Sequence, residues 1–206
     1  MEIIELGRIS YEDAESKMVE ILDRRIRQEI PDTLLLCEHE PVYTLGRRQG
    51  AIDNVICSNT VPVIQARRGG DVTYHGPGQL VGYPILELKG KRKDLHAYLH
   101  FLEQVWIDYL NTIGIMAGRD ERNTGVWIDE KKLVAVGIAC RRWVTWHGFA
   151  CNVDLDLKPY ASFNPCGMKS NLVTRLADHW NQPLSIDKLQ SEIGTYFQVA
   201  WKQWNS

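Results

Sequence analysis

A single cysteine stands on a predicted turn in the last third of the chain. Cys166 lies between Pro165 and Gly167 in the sequence NPCGM. A turn of this kind presents the thiol, and the next backbone N–H can point at a developing oxyanion. A thiolate there could act as a nucleophile. Most loop cysteines do no chemistry, so this interpretation requires a partner that favours the thiolate.

Two lysines open the strongly apolar segment EKKLVAVGI, Glu130–Ile138. A lysine at the start of such a strand usually ends in solvent. If Lys132 points inward instead, its ammonium favours the ionised form of a nearby thiol through charge pairing. A partly buried amine can also exchange a proton near neutral pH. The segment therefore offers a partner for a cysteine nucleophile.

A glycine-rich segment, RRGGDVTYHGPGQ, occupies residues Arg67–Gln79 and is called the glycine loop below. Glycine and proline at this density require sharp turns, and the freed backbone N–H groups can cradle a carbonyl or phosphate oxygen. No Gly-Lys-Ser/Thr follows and no G-x-G-x-x-G is present, so neither a P-loop nor a dinucleotide fingerprint is predicted. A simple connector between strands is the alternative. The loop also carries many polar side chains: Arg67, Arg68, Asp71, Tyr74, His75 and Gln79.

A histidine precedes a glycine in the segment WHGFACNV, Trp146–Val153. His147 could line a pocket or act as a base, and a hydrogen-bonded structural histidine is equally compatible with the pattern.

Alternating and helical patterns define the elements that must position these residues. Ser10, with Asp13 three residues on, predicts the N-cap of the first helix. Strands outnumber helices and come in runs, which predicts an α+β fold, a single domain over 1–206 with a mixed or largely antiparallel sheet and flanking helices. Pro84 predicts an edge or a bulge in its strand. The predicted helices are 11–28, 95–113 and 184–201, and the predicted strands are 33–38, 42–45, 61–67, 80–88, 125–128, 133–140 and 143–153.

Composition is that of an ordinary globular protein. The 206 residues are 44% hydrophobic and 24% charged with a net charge of −2, so disorder and a dominant nucleic-acid-binding field are excluded. No apolar run approaches the roughly 20 residues of a membrane span, and the N-terminus lacks a signal-peptide pattern, so cytoplasmic residence is expected. Five cysteines without CxxC spacing disfavour a disulfide framework and a zinc site. Three of them are expected to be small buried hydrophobes: Cys37, Cys140 and Cys151.

The segments taken together resemble the lipoyl(octanoyl) transferase family, which shares a superfamily with biotin and lipoate protein ligases. The matching stretches keep the family's order and cover most of the chain from residue 39 to 168. They are HEPVYTLGR (His39–Arg47), RRGGDVTYHGPGQLVGYPI (Arg67–Ile85), NTGVWI (Asn123–Ile128), KKLVAVGI (Lys131–Ile138), RRWVTWHGFACNV (Arg141–Val153) and NPCG (Asn164–Gly167).

The resemblance implies a biotin/lipoate protein ligase-like fold and specific site residues. The family's acyl-accepting cysteine falls on Cys166, and its catalytic lysine falls on Lys132 and not on Lys131. Phe149 and Cys151 stand where leucine is usual in the family, and these changes could reshape the acyl tunnel. The implied substrate-binding residues are Arg68, Gly69, Gly70, Asp71, Val72, Thr73, Tyr74, His75, Ala135, Val136, Gly137, His147, Gly148, Phe149 and Ala150.

The resemblance also implies the reaction. Octanoyl–acyl carrier protein would acylate Cys166, and the acyl group would pass to a lysine of the lipoyl domains of 2-oxoacid dehydrogenase complexes or of the glycine cleavage H protein. No cofactor, ATP or metal is expected, and neither nucleic acid nor membrane is an expected partner. Three alternatives stay open: an ATP-dependent lipoate or biotin ligase, a cysteine hydrolase using His75 or His147, and a non-catalytic scaffold. Basic groups could steer acidic partners: Arg47–Arg48, Arg67–Arg68, Lys89–Lys93 and Arg141–Arg142.

Overall fold

A computed structural model of the chain describes residues 1–55, 61–163 and 172–205. In these ranges the chain forms nine strands and three α-helices. The strands are β1 (Glu2–Ile9), β2 (Thr33–His39), β3 (Val42–Leu45), β4 (Val63–Gln65), β5 (Val72–His75), β6 (Gln79–Ile85), β7 (Gly125–Ile128), β8 (Lys131–Arg141) and β9 (Val144–Asn152). The helices are α1 (Tyr11–Ile26), α2 (Leu95–Thr112) and α3 (Ile186–Trp204). None of these helices is long and apolar enough to cross a membrane.

The strands form a large sheet and a small one. The large sheet has the order β1-β2-β6-β9-β8-β7, and only its β1–β2 pair is parallel. In the small sheet, β3 lies between β4 and β5 and runs parallel to β4 and antiparallel to β5. The predicted α+β class with a mixed, largely antiparallel sheet is therefore confirmed.

Helices cover both faces of the large sheet. The apolar face of α1 packs on β2, β6 and β9, and α2 and α3 pack on the opposite face. The side chain of Ser10 accepts a hydrogen bond from the Asp13 amide, at 3.1 Å, which confirms the predicted N-cap. Because Tyr11 is the first residue of α1, its side chain lies at the end of the helix, where α1 meets the small sheet.

Two strands were missed from the sequence. β1 is an edge strand whose residues are exposed or half-buried, so it lacks a clear apolar pattern, and Gly7 interrupts it with φ +64°. β5 lies inside the glycine loop, where turn residues dominate the composition. It forms because Val72–His75 pairs with β3, a contact that local propensity does not reveal. The strand predicted at residues 61–67 is shorter and spans Val63–Gln65.

Pro84 was predicted to lie at an edge or a bulge; it lies in an interior strand whose pairings show no register shift, so neither position is observed. β6 pairs with β2 on one side, where Pro84 faces Leu34, and with β9 on the other. Pairing with β9 is registered only from Gln79 to Gly82, so Pro84 lies beyond that ladder. Next to it in β9, His147 has φ +55°, and a Cβ atom added to Gly148 would clash with the Pro84 ring.

Candidate active site

A central cavity of about 490 Å³ lies between the glycine loop, the start of α1 and strands β6, β8 and β9. Its size is typical of a small-molecule site. Lys132 and every residue predicted to bind the acyl group line it, with the exception of Tyr74. The structure therefore brings together three segments that are far apart in sequence.

Tyr74 lies on the other side of β5. Its ring packs 5.4 Å from that of Tyr43 and 6.0 Å from that of Tyr160, measured between centroids. Because side chains alternate along a strand, Thr73 and His75 face the cavity while Tyr74 faces the small sheet's own core. A direct contact between Tyr74 and an acyl group stays a prediction, and in the described residues Tyr74 is not part of the cavity lining.

Arg68 organises the glycine loop from within. Its Nη2 donates to the Thr44 carbonyl oxygen and to the Thr44 Oγ1, both at 2.8 Å, and its Nη1 donates to the Asp71 carbonyl oxygen at 2.8 Å. The loop is anchored to β8 because the Gly69 amide donates to the Ile138 carbonyl oxygen at 2.8 Å. A buried guanidinium thus holds the carbonyl groups of the loop around the cavity.

Small residues leave room along the wall formed by β8 and β9. Ala135 pairs with Ala150, and Gly137 pairs with Gly148. A Cβ atom added to Gly137 would lie 3.4 Å from the Arg68 Cδ, in the space between β8 and the glycine loop. A larger side chain at Gly137 would fill this space, whereas a Cβ atom at Gly148 would clash with Pro84 and with the Gly82 carbonyl oxygen.

Lys132 points inward, as the sequence argument required. It is 7% exposed and lines the cavity. Its Nζ donates to the Asn123 Oδ1 at 2.6 Å and to the Thr124 carbonyl oxygen at 2.9 Å. The same atom lies 5.2 Å from the centre of the Trp127 ring, which provides a cation–π contact. The ammonium is therefore fixed at one end of the cavity, called the lysine end below.

A buried carboxylate on α2 supports the lysine end. The Glu103 Oε1 accepts from the Gly125 amide at 2.8 Å, and its Oε2 accepts from the Arg119 Nε at 2.8 Å. Gly125 has φ +144°, and a Cβ atom there would lie 2.4 Å from the Val134 carbonyl oxygen. Neither Asn123 nor Glu103 was given a role from the sequence. The Asn-Thr-Gly turn before β7 is the only local signal that could have pointed to Asn123.

Cys166 lies outside the described residues, as does Cys57. The described chain resumes at Leu172, and Val173 then forms a parallel bridge with Lys132. The Thr174 amide donates to the Lys132 carbonyl oxygen at 3.0 Å. The segment that follows Cys166 in the sequence therefore pairs with the residue that bears the catalytic amine in the prediction.

The three described cysteines, Cys37, Cys140 and Cys151, are free thiols. Cys37 and Cys151 are fully buried, which confirms the sequence expectation, and Cys140 is half-buried. Burial raises the pKa of all three thiols, so they stay protonated at neutral pH. Among the described cysteines, none has the environment of an activated nucleophile.

Three buried histidines lie at the cavity: His75 and His147 line it, and His39 packs against His75. Burial lowers the pKa of His39, and burial together with the neighbouring His39 lowers the pKa of His75 well below its usual value. For His147, burial and then the charge of Arg68 lower the pKa to about 3. Imidazoles that bind protons this weakly are poor general bases at neutral pH, which disfavours a hydrolase that uses His75 or His147.

Because of these three histidines, we expect the folded protein to become less stable as the pH falls. Because the folded pKa values lie below the unfolded value of about 6.5, the unfolded chain binds more protons as the pH falls through that value. We expect the free energy of unfolding to drop by about 3 kcal/mol between pH 7.5 and 5.5, summed over the three sites. Urea denaturation at the two pH values measures this drop.

The variant His147→Asn removes one of the three imidazoles. Asparagine is suitable because it tolerates the left-handed backbone at this position. This variant should remove about a third of the pH dependence. Equal stability of the wild-type protein at both pH values would contradict the buried, neutral state of these rings.

Comparison with known proteins identifies relatives of the whole chain. The family described as "Lipoyl protein ligase A/B catalytic domain" matches residues 10–198. The octanoyltransferase of Syntrophotalea carbinolica is 42% identical over 204 residues, which cover 99% of this chain and 96% of that protein. The octanoyltransferase of Caldicellulosiruptor saccharolyticus is 42% identical over 93% of this chain and 85% of its own.

Solved structures share the fold at low identity. Lipoate-protein ligase A bound with ATP superposes with a TM-score of 0.77 at 16% identity, covering 98% of this chain and 85% of that chain. The bipartite lipoate protein ligase of Thermoplasma acidophilum, solved in work on an archaeal lipoylation system, gives 0.74 at 18% identity, with coverages of 98% and 83%. Biotin protein ligase of Aquifex aeolicus gives 0.56 at 15% identity, with coverages of 100% and 71%. The predicted ligase-like fold is confirmed.

Proposed function

Because this chain belongs to the family of lipoyl protein ligase A/B catalytic domains, we propose that it carries an octanoyl group as a thioester on Cys166 and delivers it to a lysine of a partner protein. Octanoyl transfer in protein lipoylation is the activity of the chain, given full-length relatives of that name at about 40% identity. The proposal concerns the route: which residues carry the group, and which proteins donate and accept it.

The strongest support for this route is a single structural observation. A buried ammonium, that of Lys132, ends a cavity with a wall of small residues, and the chain that follows Cys166 pairs beside it. Val173 comes seven residues after Cys166 in the sequence. Seven residues of fully extended chain reach at most about 25 Å. Covalent reach therefore allows the thiol to meet the amine.

The first half-reaction would acylate the enzyme. The Cys166 thiolate attacks the thioester carbon of octanoyl–acyl carrier protein, a new C–S bond forms, and the carrier's C–S bond breaks. Lys132 keeps the attacking sulfur ionised and returns a proton to the departing carrier thiol. One thioester replaces another, so the step is close to isoenergetic and needs no ATP.

The second half-reaction would form an amide. The lysine amine of a lipoyl domain attacks the octanoyl thioester, Lys132 takes the excess proton, and the Cys166 thiolate leaves. The acceptors in the proposal are the lipoyl domains of 2-oxoacid dehydrogenase complexes and the glycine cleavage H protein. An amide is more stable than a thioester, so this step is downhill and draws the transfer forward.

Exposed arginines at the cavity mouth suit acidic partners. Arg48 and Arg122 line the cavity and reach solvent, and Arg47 and Arg67 are exposed nearby. Arg68 was predicted to steer partners as well, but it is buried and bonded to the glycine loop, so its charge is not presented at the surface. Cytoplasmic residence and a single catalytic domain over residues 1–206 stay predictions.

A reconstituted transfer reaction tests the proposal against the ligase alternative. Octanoyl–acyl carrier protein and an apo lipoyl domain are mixed with the protein in the absence of ATP, and intact mass records octanoylation of the lipoyl domain. We expect full conversion without ATP and none from free octanoate plus Mg-ATP. Conversion only from octanoate with Mg-ATP would establish a ligase, and release of free octanoate without acceptor modification would establish a hydrolase.

A further inference from the structure

Two buried polar atoms of residues that line the central cavity have no hydrogen-bond partner in the described part of the chain. They are the Tyr11 hydroxyl oxygen and the His147 Nε2. Tyr11 is 2% exposed and His147 is 1% exposed, and both residues line the cavity. Buried polar atoms in proteins are nearly always paired, with protein or with ordered water, so these two atoms point to an occupant that the protein itself does not supply.

The two atoms belong to a ring cluster called the polar end below, formed by Tyr11, His39, His75, Tyr83 and His147. Ring centroids lie 6.2 Å apart for Tyr11 and His75, 5.6 Å for His39 and His75, and 6.1 Å for Tyr83 and His147. The other members have partners. His39 Nδ1 donates to the Ile9 carbonyl oxygen at 3.0 Å, and in that tautomer His39 Nε2 accepts from the Tyr83 hydroxyl at 2.6 Å.

The polar end and the lysine end are opposite ends of the same cavity. His147 pairs with Ile138, and Ile138 lies six positions along β8 from Lys132. At about 3.3 Å per residue, these backbone positions are roughly 20 Å apart. The wall between them is the series of small residues on β8 and β9. An acyl chain attached near Lys132 would therefore direct its far carbon toward Tyr11 and His147.

The imidazole of His147 is neutral around neutral pH, because burial and nearby arginines lower its pKa to about 3. The Tyr11 hydroxyl is neutral as well, since burial raises its pKa above its usual value. At these two positions, the polar end therefore carries no net charge. It presents two neutral polar groups that each need a hydrogen bond.

We propose that Tyr11 and His147 limit the length of the acyl chain by the hydrogen bonds they require. A chain that stops short of them leaves space for water, which pairs with both atoms. A longer apolar chain displaces that water and leaves both atoms unpaired, which is costly in a buried site. A chain of the same length that ends in a hydroxyl group pairs with them directly. This inference rests on the proposed octanoyl transfer and names the substrate feature that the far end recognises.

Two donors of equal length separate this mechanism from a purely steric limit. Nonanoyl- and 8-hydroxyoctanoyl–acyl carrier protein differ only in a terminal methyl or hydroxyl group. With the wild-type protein, we expect kcat/KM for acylation to be about tenfold higher for the hydroxylated donor, since a site built for a hydrogen bond discriminates against its absence. An apolar end would give the reverse order, and that result would overturn the proposal.

Tyr11→Phe removes one of the two polar atoms without changing the size of the side chain. We expect this variant to raise kcat/KM for nonanoyl relative to 8-hydroxyoctanoyl by about fivefold to tenfold, and to melt at or above the wild-type temperature. Tyr109→Phe is the matched control, because it removes a hydroxyl that donates to Glu192 at 2.7 Å, outside the cavity. It should leave the ratio unchanged.

The outcomes distinguish this inference from the proposed function. Octanoyl transfer by the wild-type protein together with a ratio that Tyr11→Phe does not alter would reject a role for Tyr11 in chain selection and leave the transferase proposal intact. Failure of the wild-type protein to accept octanoyl from the carrier would reject the transferase route itself.

Discussion

Cys166→Ala should abolish the octanoyl adduct of the enzyme and lower transfer to the lipoyl domain by at least about a thousandfold. In the proposed route Cys166 holds the acyl chain between donor and acceptor, and loss of a covalent nucleophile typically removes nearly all of the chemical acceleration. Intact-mass spectrometry of the protein incubated with octanoyl–acyl carrier protein measures the adduct directly, and a transfer assay measures the rate.

Cys140→Ala is the matched control for this substitution. Cys140 is a half-buried thiol on β8, and burial raises its pKa, so it is not activated. The control should keep both the adduct and the transfer rate. Persistence of the adduct in Cys166→Ala, or its loss in Cys140→Ala, would assign the acyl group to a different residue.

Lys132→Met should lower the acylation rate by about a hundredfold to ten-thousandfold, the range expected when a positioned proton donor is lost. Methionine keeps the approximate volume of the side chain but removes the charge. It also leaves the Asn123 Oδ1 and the Thr124 carbonyl oxygen without their bonds to the ammonium. We therefore expect some loss of stability as well, of about 1–3 kcal/mol. Stopped-flow or quench-flow acylation measures the rate, and urea denaturation measures the stability.

Lys131→Met is a control with the identical chemical change one residue away. Lys131 is exposed on the same strand and pairs with Ile128 in β7. The acylation rate of the Lys131→Met variant should stay within about twofold of the wild-type rate, since an exposed charge away from the reacting atoms contributes little. Equal losses in the two variants would mean that the positive charge at this end of β8 acts on partner binding and not on the thiol. A Lys132→Met protein that folds and retains its acylation rate would exclude the lysine from the chemistry.

The elements with strong local patterns could be predicted from the sequence. The buried face of α1, the strand β2 and the α2 helix follow from apolar spacing and from N-caps, and their observed bounds differ by only a few residues. β5 and β1 could not be predicted in this way. Each is defined by pairing with a strand distant in sequence or at the sheet edge, and that information is not present in a short window.

The candidate site shows the same division. Residues of two contiguous motifs, the glycine loop and the His147–Ala150 segment, were predicted to bind the substrate, and all of them except Tyr74 line the cavity. Tyr11 and Tyr83 were missed, because each is a single aromatic residue in a regular element and only the tertiary fold brings it to the polar end. Tyr74 was grouped with the loop because of its position in the motif, while strand alternation turns it to the other side.

Arg68 illustrates why residue type alone did not settle a role. Its charge predicted contact with substrate or with acidic partners. The structure shows that its guanidinium bonds the carbonyl groups of Thr44, Gly69 and Asp71, so its first task is to shape the loop. A basic residue in a glycine-rich segment can satisfy the backbone acceptors that the turns leave unpaired, and composition does not distinguish this from ligand binding.

A single-turnover chase tests the thioester on Cys166 most directly. The protein is acylated with octanoyl–acyl carrier protein, separated from the donor, and mixed with an apo lipoyl domain without ATP, while peptide mapping follows the octanoyl group. The expected result is a hydroxylamine-sensitive adduct on the peptide that contains Cys166, followed by its transfer to the lipoyl-domain lysine. An adduct on any other peptide, or one that never leaves the enzyme, would contradict a thioester intermediate at Cys166.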